Sequence, residues 1–100
     1  MFIAMNRFRI ALGKEEEFTQ IWKNRETFVE TVSGFKKFHL LRGATDENCT
    51  LFVSHTVWDS KKAFEAWTQS EAFQKAHAGG GAAKDVYLGP PNFEGFEVII

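Results

Sequence analysis

Residues 2–10 alternate in character. Phe2, Ala4, Asn6, Phe8 and Ile10 fall on one side, Ile3, Met5, Arg7 and Arg9 on the other. A period of two predicts a strand, because successive side chains of an extended chain point to opposite faces. The alternation sets Asn6, an amide, on the more apolar face between Ala4 and Phe8. Gly13 then opens a turn, and Glu15, Glu16 and Glu17 suit the positive end of a helix dipole. Phe18, Ile21, Trp22, Arg25, Phe28, Val29 and Val32 follow at helical spacing, with Arg25 the lone polar member of the stripe. Ser33-Gly34 predicts the helix end, glycine serving as the C-terminal cap.

The pattern returns to strand over 35–42. A polar turn over 43–48 leads to a third strand over 50–58, rich in Val, Phe and Thr, so the pair predicts an antiparallel hairpin. Asp59-Ser60 is an N-cap signal for a short helix over 61–69, with Ala63, Phe64, Ala66 and Trp67 turned inward. Ser70 suits the cap of another short helix over 71–78, carrying Phe73, Ala76 and His77 on one side. The glycine-rich run at 78–84 predicts a surface loop, Gly89-Pro90-Pro91 a rigid turn, and 93–100 a last strand. The order β-α-β-β-α-β is that of a ferredoxin-like α+β domain spanning residues 1–100: a four-stranded antiparallel sheet with both helices on one face. The other face is apolar too, since Leu51, Val53 and Val57 alternate with Phe52 and Trp58. That predicts a homodimer packed sheet to sheet.

Composition narrows the function classes. One hundred residues make one domain, and 44% hydrophobic with 25% charged residues excludes disorder. A formal net charge of -1 offers no basic field for phosphate backbones, so nucleic-acid binding is not expected. Aromatic content is high: eleven Phe, three Trp and one Tyr, 15% of the chain. That area exceeds the needs of a small core and points to a subunit interface, a pocket for a flat ligand, or both. A single cysteine, Cys49, allows no disulfide framework and fits a reducing compartment. No signal-peptide pattern and no apolar run long enough for a membrane span is seen. A cytoplasmic location without membrane association is the expectation.

Nucleophile-elbow, zincin, CxxC, P-loop and Rossmann patterns are all missing. The three histidines, His39, His55 and His77, are too scattered over different elements to read as a three-ligand metal site. His77 reads in two ways: a partly buried helix-surface histidine, or a lone imidazole ligating an open metal position beside the glycine-rich loop. One protein ligand suffices when a porphyrin supplies four others. Trp67 completes a helical core stripe, yet a tryptophan at a pocket edge also presses on flat conjugated ligands. On one continuous helix His77 would stand about 280° round from Trp67. A helix break at Ser70 removes that constraint. Asn6 is either a satisfied buried amide or a donor aimed at a bound oxygen species, and Arg25 either snorkels or pairs with an acid or a propionate.

Asn6, the run from Thr56 to Trp67 (TVWDSKKAFEAW) and the run from Ser70 to His77 (SEAFQKAH) together resemble the IsdG-type haem-degrading monooxygenases, within the antibiotic biosynthesis monooxygenase (dimeric α+β barrel) group. The resemblance covers nearly the whole chain and is most specific from Trp58 to His77. It implies a catalytic trio: His77 as axial haem ligand, Asn6 as hydrogen-bond partner of the distal oxygen ligand, and Trp67 packed on the porphyrin to distort it. It further implies haem as both substrate and cofactor, O2, and electrons from an external reductase. The products would be an open-chain, biliverdin-like tetrapyrrole and free iron, in service of iron acquisition. Two alternatives stay open: a cofactor-independent monooxygenase of quinols or polyketides, which has no use for an axial ligand, and a haem-binding module without turnover.

Overall fold

A computed structural model describes residues 1–24, 29–70 and 85–100. Arg25, Phe28, the helix expected over 71–78 with His77, the glycine-rich loop and Lys84 lie outside the described residues. The described elements are β1 (Phe2–Ala11), α1 (Glu15–Asn24), a 3-10 turn (Val29–Thr31), β2 (Phe35–Thr45), β3 (Cys49–Trp58), α2 (Lys61–Thr68) and β4 (Asn92–Glu97). The four strands form one antiparallel sheet in the order β2-β3-β1-β4. This is the ferredoxin-like arrangement, with α1 and α2 packed on the same face.

Alternation sets the faces. Along β3 every second residue (Thr50, Phe52, Ser54, Thr56, Trp58) is buried beneath the helices, while the intervening ones are half-buried. Phe2, Ala4, Phe8 and Ile10 do the same on β1. Two clusters result. In the first, Phe18 of α1 is fully buried among Phe8, Ile10, Phe52 and Val86, with the Phe18 and Phe52 ring centroids 4.7 Å apart. In the second, Phe2, Ala4, Val29 and the fully buried Trp58 carry Phe64 and Trp67 of α2. The Trp58 indole N–H donates to Thr56 Oγ1 at 2.9 Å, and Thr56 donates on to the carbonyl of Ala4. The buried polar atoms of this cluster thus join the sheet.

Three boundaries move. β2 runs on through Gly43, Ala44 and Thr45, where a turn was expected. Beyond an irregularity between Arg42 and Thr45 it pairs again at Thr45–Thr50, and the turn shrinks to Asp46, Glu47 and Asn48. The Asp46 carboxylate closes that turn by accepting from the N–H groups of Asn48 and Cys49. The last strand stops at Glu97 instead of running to the end. Its partner β1 begins at Phe2, opposite Glu97, and the final ladder bond is Val98 N–H to the Met1 carbonyl. The first helix, expected to continue to Val32, is described only to Asn24, and Val29–Thr31 forms a 3-10 turn. Pro90 and Pro91 lack an N–H, and at them the edge ladder along β1 is interrupted between Leu88 and Asn92.

Candidate haem site

The three residues singled out from the sequence fare differently. Asn6 sits on the helix-covered face of β1, half-buried, opposite Ser54 of β3 and Phe93 of β4. Its flanking neighbours on that face, Ala4 and Phe8, are buried. Its side chain makes no hydrogen bond among the described residues, so the amide remains available to a ligand. Trp67 stands in the last turn of α2, half-buried. Its ring lies 5.4 Å from Trp58 and 6.2 Å from Phe64. His77 lies outside the described residues.

Local chemistry explains the placement of Trp67. Ser60 caps α2: its Oγ accepts from the N–H of Ala63 at 3.2 Å, satisfying a donor that the helix itself leaves open. Gly34, at φ +88, lets the chain enter β2 directly beneath Ala63. Asp59 N–H donates to the Gly34 carbonyl at 2.7 Å. Those two constraints seat α2 against Trp58.

Phe93, which sequence reasoning placed only at the start of the last strand, joins Asn6 to Trp67. It is the cross-strand neighbour of Asn6, and its ring stacks on Phe64 at 5.4 Å and 6°. Phe64 in turn meets Trp67. Despite the stacking Phe93 is 51% exposed, so a broad aromatic surface faces outward beside a free amide. The only available signal was alternation counted back from Gly95, whose missing side chain makes room for Phe2. This row (amide, exposed ring, stacked ring, tryptophan) suits a flat, largely apolar ligand with a polar atom near its centre. Haem fits that description. Arg25, expected either to snorkel or to pair with an acid or a propionate, lies outside the described residues. A separate polar hollow of 460 Å³ between α1 and β2, lined by Glu15, Lys23 and Arg42, contains none of these groups.

Comparison with known proteins agrees with the fold and the sequence runs. The antibiotic biosynthesis monooxygenase family model matches residues 1–79, and the chain belongs to that family. A heme-degrading monooxygenase of Shouchella clausii is 38% identical over 93 residues, covering 89% of this chain and 82% of that protein. A heme oxygenase (staphylobilin-producing) of Staphylococcus haemolyticus is 37% identical over 82 residues, covering 77% of this chain and 73% of its own length. Among solved structures, the heme-degrader MhuD of Mycobacterium tuberculosis, with two hemes bound in its active site, superposes with a TM-score of 0.76. It is 32% identical and covers 100% of this chain and 97% of its own.

Proposed function

We propose that this chain is a haem-degrading monooxygenase that cleaves haem with O2 and external electrons to an open-chain, biliverdin-like tetrapyrrole and free iron, for iron acquisition. The observation that carries the reading is the row Asn6, Phe93, Phe64 and Trp67 on the helix-covered face, in a chain whose relatives at 37–38% identity degrade heme. Bound haem supplies the iron at which O2 is activated and is itself the molecule consumed. The chain's residues then have separate tasks. His77 would hold the haem iron through its imidazole, and Asn6 would offer an amide N–H to an oxygen species bound there. Trp67, backed by the buried Trp58, would pack its ring against the bound haem and resist displacement by it. Phe64 and Phe93 close the apolar wall and exclude water.

The chain acts as a cytoplasmic homodimer served by an electron-donating reductase. Support for the dimer comes from the sheet face without helices, where Ile3, Met5, Val53 and Val57 are half-buried and Leu41 and Phe96 are 43% and 46% exposed. An apolar face of this extent is commonly covered by a second copy. Among the described residues no helix is long and apolar enough to cross a membrane.

The test is a hemin titration followed by absorbance, then addition of ascorbate or a reductase in air with catalase present. Saturation near one haem per chain, loss of the Soret band and growth of bilin absorption support the reading, and mass spectrometry separates a biliverdin from a staphylobilin. A Soret band that persists leaves a haem-binding module. Absence of saturable binding points to a cofactor-independent monooxygenase.

A further inference from the structure

Three hydroxyl side chains are buried along the helix-covered face of β3: Thr50, Ser54 and Thr56. Two of them are engaged by the fold. Thr50 donates to the Glu15 carboxylate and meets the Thr45 hydroxyl at 2.9 Å. Thr56 donates to the Ala4 carbonyl and accepts from the Trp58 indole. Ser54 is 7% exposed and makes no hydrogen bond among the described residues. A buried hydroxyl without a partner costs stability, so packing of the fold does not account for it. Ser54 is the direct cross-strand partner of Asn6, whose amide is likewise unengaged. Such a pair leaves the sheet side by side, with Cβ atoms about 4.5–5.5 Å apart. The two residues occupy a seam between the hydrophobic clusters. On β1, Phe8 belongs to the first cluster and Ala4 to the second; on β3, Phe52 belongs to the first and Trp58 to the second. Asn6 and Ser54 stand between these on their own strands, flanked across the sheet by Leu40 on β2 and Phe93 on β4.

We propose that Ser54 is a second polar contact of the haem site, its hydroxyl donating, beside the Asn6 amide, to a small polar or anionic ligand of the haem iron. The inference rests on the haem reading and adds to it a residue outside the trio of Asn6, Trp67 and His77. A serine hydroxyl has one proton, two lone pairs and a short rotor, so little ordering opposes its turn toward a ligand. Phe8 and Phe52 are buried beside the pair and lower the local dielectric, which strengthens a hydrogen bond made there. Two neighbouring donors also discriminate. A ligand that accepts two hydrogen bonds is held more firmly than one that accepts none, because leaving either buried group unpaired carries a penalty. Ser54 thus bears on which ligand the iron takes, and the hold on the macrocycle rests with His77 and the aromatic wall.

The test uses the full chain loaded with hemin and titrated with sodium fluoride by absorbance, because fluoride binds ferric iron and accepts hydrogen bonds. Ser54→Ala should weaken fluoride binding by about tenfold, the usual contribution of one hydrogen bond to a charged acceptor. Ser54→Thr keeps the hydroxyl and should stay near wild type. In the ferrous carbon monoxide complex, Ser54→Ala should raise the C–O stretching frequency, since a donor is withdrawn. Hemin affinity and the urea midpoint of the haem-free Ser54→Ala chain should match wild type, because the hydroxyl has no partner within the fold. Unchanged fluoride affinity with an unchanged C–O stretch overturns the proposal, and so does a lowered urea midpoint, which would make the hydroxyl structural. Ser54→Ala added to Asn6→Ala should weaken fluoride further. No further loss there would mean that the hydroxyl only orients the amide, and would overturn the direct contact. Absence of saturable hemin binding in the wild-type chain overturns the haem reading itself, whereas saturation with unchanged fluoride affinity overturns the role of Ser54 alone.

Discussion

Placing a methyl group at Gly34 tests how α2, and with it Trp67, is seated. Gly34 has φ +88, and a Cβ there would lie 2.5 Å from the Cβ of Ala63 in the first turn of α2. Two costs then add. An L-residue in the left-handed region loses about 1–2 kcal/mol. Forcing a methyl into a filled contact loses a further 1–3 kcal/mol or so. Gly13 is the internal control: its φ is +84, yet nothing stands within 4 Å of the added atom, so Gly13→Ala carries the backbone cost alone. Urea denaturation of a domain this size should therefore place Gly34→Ala about 2–5 kcal/mol below wild type and Gly13→Ala about 1–2 kcal/mol below. In heat, each kcal/mol moves the midpoint by roughly 4–8 °C. The double variant Gly34→Ala/Ala63→Gly removes the opposing methyl and should recover the packing part, a coupling that independent sites do not show. Hemin affinity should fall in Gly34→Ala and hold in Gly13→Ala, since only the former displaces the helix that carries Trp67. Equal losses in the two single variants, or no recovery in the double, would refute this account of how α2 is seated.

Asn6→Ala should bind haem normally and lose about 10²-fold in turnover, the usual effect of deleting one positioned donor; unchanged single-turnover kinetics would reduce Asn6 to a structural amide. His77→Ala should lose the spectroscopic signature of axial imidazole, and wild-type degradation rates in that variant would refute the ligand assignment. Trp67→Phe should stay folded, at a cost under about 3 kcal/mol, and degrade haem several-fold more slowly; an unchanged rate would mean the ring only packs on Trp58. Acid stability depends on Glu15, whose carboxyl is held below its ordinary 4.5, chiefly by the Thr50 hydroxyl donating at 2.8 Å. Because the folded value is the lower one, this contribution is complete above about pH 4.5 and is lost as pH falls through the folded value. Thr50→Val should flatten the decline of stability in that window, as read by urea midpoints at stepped pH, and identical slopes would exclude the contact.

The hydrophobic pattern by itself determined the faces of the strands. Extended backbone alternates its side chains, so the sequence placed Asn6 with Phe2, Ala4 and Phe8 before any partner strand was known. Ser60 was legible as a cap because its hydroxyl acts within three residues. Trp67 was legible as an inward residue of α2 for the same local reason. Tertiary pairing decided the rest. Gly43-Ala44-Thr45 has the local chemistry of a turn, yet β3 supplies partners that keep it extended, and the side chain of Leu51 packs over Gly43. The end of β4 is set by where β1 begins. Phe93 enters the site because β4 falls in register with β1 at Asn6, and Ser54 meets Asn6 because β1 and β3 share a register that spacing along the chain does not encode. Periodicity reports local backbone geometry. Which strands become neighbours, and in what register, depends on contacts between residues far apart in the chain, and those contacts bring the amide, the aromatic wall and the unpartnered hydroxyl to their places.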